Sequence, residues 1–157
     1  MTTTREAILA NVDTSLRLIN GTGSYATTVV TFDARPKAFA DGLNADQLPY
    51  VGWMPRKGTD EPQGCYVIRR TQYVDIGAHV IGATEDAATV ALNALLADID
   101  RAMLTDITRG GNAIQTLPAE APDTNEGDAD SIDPAHGGYL GTAVVSYAID
   151  YDYVMPH

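Results

Sequence analysis

From Tyr139 to Pro156 the chain reads YLGTAVVSYAIDYDYVMP. Ala143, Val145, Tyr147, Ile149, Tyr151 and Tyr153 alternate there with Thr142, Val144, Ser146, Ala148, Asp150 and Asp152. Side chains of a strand point to opposite faces in turn, so this stretch predicts a long strand with one buried face. CYVIRRTQYVDIGAHVIG, from Cys65, predicts another. Val74, Ile76, Ala78 and Val80 share one face, and Tyr73, Asp75, Gly77 and His79 share the other. Two such strands need further strands beside them and a cover over the apolar side.

The cover is legible as two helices. Thr4 is placed to cap a helix reaching about Ile19, with Ile8, Val12, Leu16 and Ile19 on one face and NGTG ending it. Thr84, followed by Glu85 and Asp86, starts the second. Its buried face is Ala88, Leu92, Leu95, Leu96, Ile99 and Met103, and it ends near Leu104 to Asp106. YATTVVTFDA, Tyr25 to Ala34, reads as a strand and LPYVGWMP as a short one. RKGTDEPQG reads as a turn, and NAIQTLP as a strand closed by Pro118. The order is helix, three strands, helix, two strands. That predicts an α+β fold: a mainly antiparallel sheet of about five strands with two helices packed on one face. At 157 residues, 1–157 reads as a single domain. The stretch from about 119 to 138 carries six carboxylates and no aliphatic run, and reads as a flexible acidic insertion.

Charge narrows the function. The net charge is −11, from 10 basic and 21 acidic residues, which argues against a protein that grips phosphates. Six of the ten basic residues lie between Arg35 and Arg70. No Lys or Arg follows Arg109, while eight carboxylates do. Such asymmetry steers association with a surface of opposite sign. No apolar run is long enough to span a membrane, and the N-terminal segment lacks the pattern of a secretory signal. The single cysteine, Cys65, excludes an intramolecular disulfide and fits a reducing, cytoplasmic site of synthesis.

Chemical motifs fail one by one. Gly110-Gly111 follows a helix and precedes a strand, the reverse of a phosphate-cradling loop. DTNEGDADSID puts glycine at position five and Pro134 at twelve, so it is no EF-hand. His79, His136 and His157 stand apart without zinc-ligand spacing. His79 is expected on the polar face of its strand, and Cys65 is expected as a packed thiol. Asp150 and Asp152 are expected to solvate an exposed face. No nucleophile signature is present. The expectation is no catalytic residue, no cofactor and no metal.

Tyr50, Trp53 and Met54 stand beside Arg56 and Lys57, a composition that suits protein interfaces. Arg69 and Arg70 extend the basic patch, and Asp128 and Asp130 belong to the acidic one. Arg109, the last basic residue, is the candidate for holding the acidic half of its own chain or a neighbour's.

The succession of these elements resembles the tail terminator (tail completion) proteins of long-tailed bacteriophages. The residues that carry it are Leu48-Pro49, then Asp106, Thr108, Gly110, Gly111 and Ala113, then Tyr147, Tyr151 and Tyr153. The resemblance covers nearly the whole chain, and the acidic stretch from Ala119 to Gly138 departs from it. It implies a structural virion protein, assembled in the host cytoplasm, that acts without catalysis. Such a protein forms a ring with itself, usually of six subunits, on the head-proximal end of the tail tube. There it ends tube growth and offers the joining surface for the head. The implied partners are the tail tube protein and head connector or neck proteins. DNA passes through the lumen without specific binding. A head–tail adaptor or minor tail protein is the alternative within this class. A small-molecule-binding domain or an enzyme is the alternative outside it, and would show a pocket of convergent polar groups. The ring reading expects an exposed hairpin and poor burial of Tyr50 and Trp53 within one subunit.

Overall fold

Thr3, and not Thr4, starts the first helix. Glu6 lies three residues beyond Thr3, and the two close a capping box: the Glu6 amide donates to Thr3 Oγ1 at 3.2 Å, and the Thr3 amide donates to Glu6 Oε2 at 2.7 Å. The structure, a computed structural model, describes residues 2–34, 44–126, 132–133 and 138–155. Helix α1 spans Thr4–Leu16. The expected end at Ile19 is a tighter turn, yet Ile19 stays fully buried.

The remaining elements, in chain order, are β1 (Thr31–Ala34), β2 (Tyr50–Pro62), β3 (Val67–Gly82), α2 (Glu85–Thr105), β4 (Gln115–Glu126), β5 (Ile132–Asp133) and β6 (Gly138–Val154). The sheet runs β1-β2-β3-β6-β4, with β5 also paired to β6. Among the described residues the β1–β2 pair alone is parallel, and the other pairs are antiparallel. The expected class therefore holds. Both helices lie on the face carrying Val74, Ile76, Ala78 and Val80 of β3 and Ala143, Val145, Tyr147, Ile149 and Tyr151 of β6. Ile8, Val12 and Leu16 of α1 meet them there, with Leu92, Leu95, Ile99 and Met103 of α2. Leu96 packs only at the margin of this core.

Four segments differ from expectation, each for a local reason. Tyr25 to Val30 is not regular strand. Its amides are taken elsewhere: Ala26 and Thr27 donate to the Asp98 carboxylate of α2 at 3.2 and 2.7 Å, and Val30 donates to the Pro49 carbonyl at 2.9 Å. The segment expected to turn at Arg56 to Gly64 is mostly strand. A bulge between Arg56 and Thr59 absorbs the irregularity, and pairing resumes from Thr59↔Thr71 to Pro62↔Ile68. Gly58 is required there, because a Cβ would lie 2.1 Å from the Thr71 carbonyl oxygen. Pro118 does not close β4. The strand passes it by register shifts on either side of Glu120, so residues 119–126 of the expected acidic loop, and 132–133, are strand. Cys65 is exposed at the tip of the β2–β3 hairpin and is not packed.

Candidate functional site

Among the described residues no α-helix covers the second face of the sheet. His79 lies there, but it is buried and not solvated. Its ring meets Tyr50 edge-on at 5.6 Å, and burial pushes its pKa from 6.5 down to about 4. Burial, with the Asp33 charge adding to it, pushes the Tyr50 hydroxyl up to about 12. Next along the same face lies a polar row. Asp75 accepts from Ser146 Oγ at 2.6 Å and pairs with Arg56 at 3.2 Å, and Arg56 also reaches Glu120 at 3.4 Å. Thr71 and Gln115 donate to Asp150 at 2.6 and 2.8 Å, while Arg69 pairs with Asp152 at 3.0 Å. Asp150 and Asp152 thus tie strands together and do more than solvate a face.

Two of the aromatic interface candidates are inside the subunit. Tyr50 is 3% exposed and Trp53 is 8% exposed. Trp53 Nε1 donates to Asp13 Oδ1 of α1 at 3.0 Å, which anchors the ring in the core. Burial raises the Asp13 carboxyl, but hydrogen bonds from Arg17 and Trp53 outweigh it and hold the group below its ordinary range. The expectation of poor burial for these two side chains is corrected. Met54, by contrast, is exposed.

Arg109 is also corrected. It was expected to hold the acidic half, and it is 0% exposed. Nε donates to Thr116 Oγ1 at 3.0 Å, and Nη1 donates to Asn11 Oδ1 and Ser15 Oγ, both at 3.3 Å. Burial lowers its pKa, opposed by the Asp106 carboxylate and Tyr147. The surrounding loop explains the spacing of its motif. Asp106 accepts from the Thr108 amide and hydroxyl and from the Gly110 amide, at 3.1, 2.8 and 2.6 Å. Arg109, Gly110 and Gly111 then take φ of 51°, 69° and 81° in succession. That left-handed run turns the chain out of α2, and the Ala113 amide closes it onto the Thr108 carbonyl at 2.8 Å. Asp128 and Asp130, like His136 and His157, lie outside the described residues.

The remaining basic candidates converge on a concavity of about 310 Å³ beside β2. Arg56, Lys57 and Arg70 line it. So do Arg5 of α1 and Gln72, which sequence reasoning missed. Arg5 Nε donates to Gln72 Oε1 at 2.7 Å, and Gln72 Nε2 donates to the carbonyls of Arg56 and Tyr73 at 2.7 and 2.8 Å. Arg70 lies 3.3 Å from Asp60 and stacks over the Tyr153 ring at 4.2 Å. Nothing in the sequence links Arg5 to Lys57; the docking of α1 beside Gln72 does.

A second concavity, of about 370 Å³, opens where β4 shifts register around Glu120. Tyr147 reaches it and donates a short hydrogen bond to Asp100. Burial first, then Asp100, drives the Tyr147 pKa upward, so the hydroxyl stays protonated. Among the described residues no group of His, Cys, Asp and Glu is placed to hold a metal, and no helix is long and apolar enough to cross a membrane.

No model of a known protein family matches the chain, and no curated protein does. Among solved structures, the fold is similar to that of a chain in the virion of a native gene transfer agent (GTA) particle. The two share 13% identity at a TM-score of 0.54, over 93% of this chain and 92% of that one. This likeness shows a shared fold along nearly the full length of both chains.

Proposed function

We propose that the protein is a structural component of a phage-like virion, a tail terminator. As a ring of identical subunits it caps the head-proximal end of the tail tube, stops its growth and presents the surface that joins the head. The observation that carries the reading is the near-full-length likeness to a chain of a GTA virion, combined with the terminator-like order of elements and the Asp106–Ala113 joint. The use of polar groups supports assembly over catalysis. Asp98, Gln72, Asp150 and Arg109 each bond between elements of the fold. The partners are further copies of the chain, the tail tube protein and the head connector or neck, and the place of action is the virion.

The test is light scattering and electron microscopy on the purified protein, alone and with the tube protein of its virion. A ring-sized species that caps one tube end and fixes tube length is expected. A chain that stays monomeric and leaves tube length unchanged overturns the reading. Binding to the head connector without capping tubes would assign it instead as a neck adaptor.

A further inference from the structure

The concavity beside β2 concentrates positive charge that the subunit leaves unneutralised. Among the described residues Arg17 pairs with Asp13, Arg56 with Asp75 and Glu120, and Arg69 with Asp152, while Arg101 stands alone on the exposed side of α2. In the concavity, Arg5 is held by Gln72, a neutral side chain whose own N–H groups are fixed on two backbone carbonyls. Neither Arg5 nor Lys57 has a carboxylate within ion-pair distance among the described residues, and Arg70 adds a third cation against the single carboxylate of Asp60. The arrangement presents pre-oriented donors to an anionic group arriving from outside.

The opposite edge of the sheet has the complementary character. Strand order puts β2 toward one edge and β4 at the other. Asp123 stands exposed on β4 without an ion pair among the described residues, next to Glu120, which Arg56 of the same subunit reaches at 3.4 Å, and no Lys or Arg follows Arg109 in the sequence. A basic patch on one edge and an acidic patch on the other define a head-to-tail contact, the type that closes into rings.

Resting on the ring reading, we propose that the concavity lined by Arg5, Lys57 and Arg70 receives carboxylate charge from the β4 edge of a second copy, centred on Asp123. A protein partner fits better than a nucleic acid backbone. A long polyanion lies against more of this net −11 surface than the patch it would bind, whereas a second copy also carries −11 but brings only its own contact patch close to the site. Repulsion between the two copies as wholes is screened beyond ~8 Å at physiological ionic strength, and pairs at the contact are screened less.

Salt acts on both terms, so charge reversal is the sharper probe. One variant carries Arg5→Glu and Lys57→Glu, the other Asp123→Lys; all three positions are exposed, and matching melting curves would show intact folds. Each variant alone should associate ~10-fold or more weakly than the parent chain, because each sets like charges face to face. An equimolar mixture restores opposite signs at every contact and should recover ring-sized assemblies in alternating order. If either variant alone assembles like the parent, the proposal is overturned while the ring reading stands. If both lose assembly and the mixture does not recover it, the β4 carboxylate is not the occupant. Binding of a short DNA duplex by the parent but not by the Arg5→Glu/Lys57→Glu variant overturns it in favour of phosphate. A parent chain that is monomeric throughout, with and without tube protein, overturns the ring reading itself.

Discussion

Arg109 donates through Nε to the hydroxyl of Thr116 at 3.0 Å, and Thr116 passes a hydrogen bond on to the Ile107 carbonyl at 2.9 Å. A buried guanidinium thereby joins the exit of α2 to the start of β4, and through Asn11 and Ser15 to α1. Arg109→Ala should lower stability by ~2–4 kcal/mol, since it opens a cavity and strips partners from three polar side chains. Arg109→Lys should recover little, because an ammonium lacks the planar fork that reaches three acceptors. Urea denaturation of the two variants decides; a loss below ~0.5 kcal/mol for Arg109→Ala would mark the residue as peripheral.

Asp98 does for the Tyr25–Thr27 segment what a neighbouring strand does elsewhere. Asp98→Ala leaves the Ala26 and Thr27 amides without their acceptors, at a cost of ~1–3 kcal/mol each where they remain buried. Hydrogen exchange at those two amides should accelerate more than at β3 amides. Equal protection in variant and parent would show that the carboxylate holds nothing.

His79 gives the protein an acid limit. Its folded pKa of about 4 lies below the ordinary 6.5, so between those values the unfolded chain takes up a proton that the folded chain does not. The contribution is fully present above about pH 6.5 and falls away toward pH 4, by up to ~3 kcal/mol at 1.36 kcal/mol per pKa unit. A His79→Phe variant keeps the ring beside Tyr50 and should lose less stability over that window. Parallel stability profiles for the two proteins would exclude His79 as the cause.

Thr3 and Thr4 offer a comparison of neighbours. Thr3→Ala removes the helix cap and should cost ~1 kcal/mol. Thr4→Ala lies in the first turn and should cost close to nothing. The reverse order in thermal melts would return the cap to Thr4.

Elements with strong periodicity were readable without coordinates. The alternation in β3 and β6 and the stripe on α2 appear as expected, because burial on one face leaves one pattern open to the chain. What stayed hidden depends on partners distant in sequence. Tyr25 to Val30 has strand composition but bonds to α2, and Trp53 looks like a contact residue until Asp13 appears beside it. Arg109 carried no mark of burial, since a lone arginine in a glycine-rich loop ordinarily faces water. Asp98 was open to discovery: it lies three residues after Leu95 and four before Ala102, a carboxylate on an apolar stripe. The concavity needed α1 to bring Arg5 to Lys57, across a separation that no local pattern encodes.

β4 forms an edge of the sheet over twelve residues and carries both Pro118 and Pro122. A proline has no amide hydrogen to offer, and the register shifts between them bend the strand further from a straight template. An incoming strand therefore finds no continuous ladder to extend. What this edge offers a neighbour is side chains and not a continuous run of backbone donors and acceptors. An edge interrupted in this way resists open-ended strand-to-strand stacking of the protein.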